Sequence, residues 1–282
     1  MKSQSAMEYL MTYGWAILII AVVLGVLFQL GVFSGSALAP RAQPGSCTVQ
    51  RFAGQVSLEG ICQGQLPQFV AQFTGFGYIF TANQIAYPSG SQPRTLLGWY
   101  YTSGQATGGY AIASYGYSSP FNAVYPFIRP TSQALVTTFD SDLVVCGACA
   151  IPGSWQFIAE TYNGIAESGY VGVGGTIFSA TQVATATTPS STELFIGQNP
   201  DNGNRFIGAL ANIQLYNTSL SANEVQALYL EGIGGAPIKI QNLVGWWPLN
   251  GNLNDYSGNN NNGQVYGSIS FNGTWQSGYT PP

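Results

Sequence analysis

The sequence predicts a mainly β protein: an antiparallel β-sandwich carried behind one apolar N-terminal α-helix. Three observations lead there. The first is an uncharged apolar run, Trp15-Ala-Ile-Leu-Ile-Ile-Ala-Val-Val-Leu-Gly-Val-Leu-Phe28, with no charge between Glu8 and Arg41. The second is a long series of β-like runs of about four to eight residues, parted by Gly, Pro, Asn and Ser, the pattern of a sandwich. The third is composition: 46% hydrophobic, 13% aromatic and 36 glycines, yet only 6% charged, against about 25% in an average soluble domain. So many apolar and aromatic residues exclude a disordered chain.

The helix comes first. From about Tyr9 to Phe33 it would be roughly 37 Å long, enough to cross a bilayer core of about 30 Å. Three readings fit it. One is a plain transmembrane anchor with Lys2 inside, a thin positive-inside signal. Another is a secretory signal peptide cut after Ala37-Leu38-Ala39. Against that stand the length of the apolar run, Glu8 ahead of it, and Pro40 just after the cut. The third reading explains Glu8, because an ionisable group at the edge of an apolar helix is by default functional.

Gln4-Ser5-Ala6-Met7-Glu8-Tyr9-Leu10, after the short leader Met1–Ser3, resembles the class III signal peptide of archaeal type IV pilin-like proteins. That resemblance covers about the first 33 residues. It implies a prepilin peptidase cutting between Ser3 and Gln4, although Ser3 stands where Gly or Ala is usual. The helix, residues 4–33, would stay in the mature subunit, in the membrane before assembly and then packed against like subunits. Glu8, fifth from the new terminus, would pair with the Gln4 α-ammonium of a neighbour, as a buried carboxylate needs a partner. Residues 34–46, rich in Gly, Ser, Ala, Pro and Gln, form a linker.

The chain bears a net charge of −4, has no basic stretch and has no histidine. Nucleic-acid binding lacks its electrostatic footprint. Histidine-dependent triads and His-ligated zinc are excluded.

Cys47, Cys62, Cys146 and Cys149 all follow the apolar helix and face an oxidising side. Local pairing is expected, Cys47–Cys62 and Cys146–Cys149; the first would add about 3 kcal/mol by loop entropy. A Cys-x-x-Cys redox site and a Cys₄ zinc site remain the alternatives.

From residue 47 to 282 the strands follow in order. Phe69–Phe73 alternates, Thr74-Gly75-Phe76-Gly77 turns, and Tyr78-Ile79-Phe80 runs on. Thr95–Tyr101, Tyr110–Tyr115, Ala134–Phe139, Trp155–Tyr162, Glu193–Gly197 and Ile207–Tyr216 continue the series. One helix interrupts it. Ser221-Ala-Asn-Glu224 is a capping box, Val225, Leu228 and Tyr229 form its apolar stripe, and Gly232 ends it.

The pieces Phe69–Tyr78, Leu97-Gly98-Trp99, Trp155–Gly164 and above all Phe206–Glu224, with its L-S-x-x-E ending, resemble the laminin G-like, concanavalin A-like jelly roll. The resemblance covers roughly residues 66–235. Leu243–Asn259 looks like the strand that normally opens this fold, here displaced to the C-terminal end, so residues 243–271 are expected to complete the sandwich.

That resemblance implies binding of carbohydrate or protein, often with calcium, the one cofactor it suggests. Asp255-Tyr256-Ser257-Gly258-Asn259 resembles the family's calcium turn, to which Asn252, Asn254 and Asp255 could supply oxygens, although Asn and Asp make such turns unaided. Asp140 and Asp142, at i and i+2, would share one strand face and offer a second calcium site. A glycosidase of this fold needs clustered carboxylates; the family's E-x-D-x-x-E is missing, and Glu160 and Glu167 are too separated in sequence to replace it, so no enzyme is expected.

Tyr100, Tyr101, Tyr110, Tyr115, Tyr117 and Tyr125 offer rings that can stack on sugars, though alternation sends half of such a set into the core. Asn217-Thr-Ser and Asn272-Gly-Thr are N-glycosylation patterns. The expectation is a cell-surface pilin-like subunit, structural and adhesive, whose domain binds a glycan or surface protein. The alternative is an anchored or secreted carbohydrate-binding protein that never polymerises.

Overall fold

The computed structural model describes residues 6–29, 41–42, 47–50, 57–60, 66–82, 87–103, 110–116, 123–128, 134–138, 141–185, 188, 190, 193–199 and 205–282. Two compact units divide the chain, Met1–Ala39 and Pro40–Pro282.

The first unit holds α1 (Ala6–Gln29). Its described side chains, Tyr13 to Leu24, are all exposed, Trp15 at 68% and Ile17 at 66%. No helix among the described residues is long and apolar enough to cross a membrane. Glu8 lies on α1 with its side chain undescribed, and Ser3 and Gln4 lie outside the described residues.

The second unit is built of strands. In chain order these are β1 (Arg41–Ala42), β2 (Cys47–Gln50), β3 (Ser57–Gly60), β4 (Leu66–Pro67), β5 (Val70–Thr74), β6 (Tyr78–Ala82) and β7 (Arg94–Tyr101). They continue with β8 (Tyr110–Ala111), β9 (Ala113–Gly116), β10 (Ala123–Ile128), β11 (Ala134–Thr138), β12 (Ser141–Cys146), β13 (Trp155–Tyr162) and β14 (Ala166–Val173). After β15 (Thr176–Val183), β16 (Glu193–Ile196) and β17 (Ile207–Tyr216) comes α2 (Ala222–Leu230), then β18 (Leu243–Trp247), β19 (Gly263–Tyr266) and β20 (Ile269–Asn272).

Two eight-stranded sheets result. One runs β12-β11-β10-β9-β16-β6-β19, with β8 on β10; the other runs β15-β14-β13-β7-β17-β5-β20, with β18 on β17. Except for the small parallel pair β1–β4, the pairings are antiparallel. The predicted sandwich class is what forms. The C-terminal segment serves both sheets: β18 and β20 join the second and β19 joins the first.

The core lies between the sheets because alternate residues of each strand point inward. Phe73, Leu96, Ile158 and Leu210 come from one sheet and meet Ile79, Ala113, Leu194 and Ile196 from the other in one buried cluster. Full burial of such side chains is worth about 1.5–3 kcal/mol each.

On the inner face at one end of the second sheet sit charges. Arg94 pairs in register with Tyr162, which pairs with Glu167, and Glu160 lies two residues back on the same face. Arg94, Glu160 and Glu167 are no more than 1% exposed. The Arg94 guanidinium lies 4.6 Å from the Tyr162 ring centre and donates to Gly90 O at 3.1 Å. Glu167 accepts from Gln182 Nε2 at 2.9 Å. Burial raises the Tyr115 phenol above its usual range; Arg94 counters the rise and Glu160 adds to it.

The outer face of the same sheet is covered by α2. Ser221 Oγ accepts from Glu224 N, and the Glu224 carboxylate accepts from Ser221 N at 2.8 Å, closing the capping box. Val225, Leu228 and Tyr229 are buried. Tyr229 stacks on Trp99 at 5.8 Å and lies flat over Gly172, where a Cβ would come within 2.5 Å of the ring. Trp155, Trp275 and Tyr279 extend the cluster, with ring centres 5.6 Å apart from Trp155 to Trp275 and from Trp275 to Tyr279. Lys239 pairs with Glu224 at 2.7 Å and holds that carboxyl below its usual range.

An open aromatic platform as candidate glycan site

The outer face of the first sheet carries a different aromatic group. Ile79 on β6 points into the core, so its neighbours Tyr78 and Phe80 point out. Register sets Tyr266 of β19 against Tyr78, Gln264 against Phe80, and Phe195 of β16 against Phe80. The rings meet in consequence. Tyr78 and Tyr266 stack at 4.9 Å and 22°, while Phe195 meets Tyr78 edge-on at 5.9 Å. Tyr266 is 54% exposed.

Arg205 lies over this platform. Its guanidinium carbon is 5.5 Å from the Tyr78 ring centre and 5.9 Å from that of Tyr266. An isolated β-bridge between Gln198 and Arg205 fixes the backbone, and Arg205 Nε donates to Gln198 Oε1 at 3.1 Å. Gln198 is itself fully buried. The result is a cluster of stacked and inclined rings on the outer face of the sheet, with the Arg205 guanidinium and the exposed Gln264 amide beside it. Such a surface stacks on the C–H face of a sugar ring while the donors take its hydroxyls.

The tyrosines that the sequence offered as possible stacking rings, half of them expected in the core, are placed as follows. Tyr100 and Tyr115 are fully buried, the first donating to Gln156 Oε1 at 3.0 Å and the second to Pro88 O at 3.1 Å. Tyr101 is half-buried against Trp155. Tyr117 and the side chains of Tyr110 and Tyr125 lie outside the described residues. Tyr78, Phe80, Phe195, Tyr266 and Arg205 were missed. The Tyr78-Ile79-Phe80 alternation was visible, but its partners lie over a hundred residues away in the sequence, at Phe195 and Tyr266.

The turn expected to hold calcium is filled by protein donors. Asp255 Oδ1 accepts from Trp246 N at 2.9 Å and Ser257 N at 2.8 Å; Oδ2 accepts from Ser257 Oγ and Asn261 N, both at 2.8 Å. Asn252 Oδ1 accepts from Asn254 N at 3.1 Å, and Asn252 Nδ2 donates to Tyr256 Oη at 3.0 Å. A cation at Asp255 would have to displace four hydrogen bonds, so Asn252, Asn254 and Asp255 form a tied turn and not an assembled ligand set. Asp142 belongs to β12, in the other sheet, and Asp140 lies outside the described residues. Among the described residues no group of three metal-ligating side chains occurs.

Cys146 and Cys149 form a disulfide with Cα atoms 5.8 Å apart. Gln156 supports that turn from inside, donating to Cys149 O and accepting from Ile151 N at 2.8 Å. Cys62 and the Cys47 side chain lie outside the described residues. Asn217 is exposed and accepts from Asn242 Nδ2 at 3.0 Å. Asn272 accepts from Thr274 N at 2.8 Å and Thr274 Oγ1 at 3.0 Å within its own turn.

Residues 73–226 match the family described as the concanavalin A-like lectin/glucanases superfamily, of laminin G type. More than half of the chain is covered, and the chain belongs to that family. Among solved structures, a candidate carbohydrate binding protein from Bacteroides ovatus is similar at 14% identity and a TM-score of 0.56, covering 74% of this chain and 61% of its own. A heptameric SAP-like pentraxin from Limulus polyphemus is similar at 13% identity and 0.51, covering 72% of this chain and 94% of its own. At such identities the likeness shows the fold alone. This chain thus spans about three fifths of the Bacteroides protein. No curated protein sequence matches it.

Proposed function

We propose that this is a cell-surface carbohydrate-binding protein, a binding module and not an enzyme, whose ligand lies on the β6–β16–β19 platform. The carrying observation is that these four rings share the outer face of one sheet, with Tyr266 exposed and a guanidinium held over Tyr78 and Tyr266. Family membership and the Bacteroides ovatus relative, itself described as a candidate carbohydrate binding protein, support the class. Binding without hydrolysis fits the burial of Glu160 and Glu167 between the sheets, where no sugar reaches them. The direct test is a glycan array probed with the full chain and with Tyr266→Ala. Glycan binding that depends on Tyr266 supports the reading; binding that ignores this change moves the site elsewhere.

The N-terminal helix supplies the second part of the proposal. Its exposed apolar side chains, Tyr13 to Leu24, need apolar cover that a lipid bilayer or a bundle of like helices provides. With the pilin-like Gln4–Leu10 segment, this favours a subunit matured by a prepilin peptidase, assembled through its helix, and displaying the sandwich outward for adhesion. Mass spectrometry of the mature terminus decides it. A start at Gln4 is expected, and a start at Pro40 ends the pilin route. Glu8→Ala should leave export intact and abolish filaments in negative-stain images; unchanged filaments would remove Glu8 from assembly. Any calcium requirement would fall to Asp140 and Asp142, and any glycan of its own to Asn217 or Asn272.

A further inference from the structure

Stacking on sugars accounts for the rings of the platform but does not call for a cation above them. We infer that the platform reads a glycan bearing a carboxylate, with Arg205 as the group that binds it; this rests on the glycan-binding reading above. The chain has only seven Lys and Arg in 282 residues. Among the described side chains the other two cations are committed elsewhere. Arg94 is 1% exposed between the sheets, and Lys239 is paired with Glu224. Arg205 is half-buried, and among the described residues no carboxylate lies beside it; its described contacts are the Tyr78 and Tyr266 rings and Gln198 Oε1.

Among the described residues those contacts use one of the five guanidinium N–H donors, at Nε. The terminal nitrogens, Nη1 and Nη2, make no hydrogen bond to a described residue. Gln198 is fully buried, so the anchor at Nε is rigid and the fork is held in one direction before any ligand arrives. A planar fork with free ends is the geometry that takes a carboxylate through two parallel hydrogen bonds. In a protein of net charge −4, this is a local positive spot at an apolar surface, which a neutral sugar would not require.

The test uses the full chain in detergent micelles, titrated calorimetrically with two matched pairs: oligogalacturonate and its methyl ester, and sialyllactose and lactose. The acid of at least one pair should bind ~10-fold or more tightly than its neutral partner, and the pair that does so tells uronate from sialate. Arg205→Gln should erase that difference by weakening the acid far more than its neutral partner, and Arg205→Lys should restore only part of it. Equal binding of acid and neutral partner overturns the inference, as does a preference that survives Arg205→Gln. If Tyr266→Ala still weakens both members of a pair in that event, glycan binding at the platform stands and only the carboxylate reading falls. Failure of all four probes to bind overturns both. The ester comparison is made on the unaltered protein, so it does not depend on any variant folding.

Discussion

Each sheet carries aromatic residues on its outward face, and among the described residues a helix covers only one of the two faces. On the second sheet, Trp99 and Trp155 are 2% and 3% exposed, packed with Tyr229 of α2 and with Trp275 and Tyr279 of the C-terminal tail, themselves 3% and 7% exposed. On the first, Tyr266 keeps 54% of its surface in solvent. Residue type does not separate the two groups; their cover does. A ring under a helix contributes its full buried area and contact geometry to stability, whereas a ring on an open face has that area left to offer a ligand.

The sharpest way to break this comparison is to remove a ring from the covered side. Trp99→Ala, which vacates contacts to Phe157, Tyr229 and Tyr279, should cost about 3–5 kcal/mol in denaturant unfolding. A loss below about 1 kcal/mol would mean the cover is loose. Next comes the turn that ties β18 in place. Asp255→Ala deprives four donors of their acceptor and should cost about 3 kcal/mol. Adding calcium or a chelator to the unaltered protein should leave its melting temperature in place; a calcium-dependent rise lost in Asp255→Ala would mean that the turn opens for a cation.

On the open side the expectation reverses. Tyr266→Ala should cost less than about 1 kcal/mol of stability, as exposed substitutions do, while glycan affinity falls roughly tenfold, since one aromatic stack is worth about 1 kcal/mol or more. A variant that loses stability but keeps affinity would show that the platform packs and does not bind.

The smallest effect belongs to the helix that covers the second sheet. The Lys239 ammonium, then the Ser221 cap, hold Glu224 below its usual range. A depressed carboxylate stabilises the fold above its unfolded pKa, and the contribution disappears as pH falls through the folded value. Glu224→Gln should therefore cost no more than about 0.5 kcal/mol at pH 7, given solvent screening of this partly exposed pair, and nothing at pH 2. A difference that persists at pH 2 would assign the cost to the cap and not to the charge.

Local features were legible in the sequence where neighbours in the chain are also neighbours in space. The capping box Ser221–Glu224 and the stripe Val225, Leu228 and Tyr229 could be read because a helix brings i, i+3 and i+4 together. Many strands from Val70 to Tyr216 were visible as short β-like runs, and the sandwich class followed, although Ala123–Ile128, Ala166–Val173 and Thr176–Val183 were not singled out. Which aromatic residues face outward was not legible for the opposite reason. Tyr100 and Tyr115 read as well as Tyr78 and Tyr266 along the chain, yet alternation tells only that two faces exist, not which one is inside. The Asp255 turn was likewise recognisable as an Asx motif, but Trp246 N and Asn261 N, which join Ser257 in filling its carboxylate, are supplied by the way β18 folds back on it.

By itself, then, the sequence determined an apolar leading helix, a sparsely charged β-rich domain, the capped α2 and the exclusion of histidine chemistry, because composition and short-range periodicity are properties of the chain. Only the tertiary structure decided that β6, β16 and β19 lie side by side with Arg205 above them, that α2 closes the opposite face, and that Glu160 and Glu167 are interior. Those depend on pairings between residues up to about two hundred positions apart, which are settled by the joint burial of both sheets and not by any local preference.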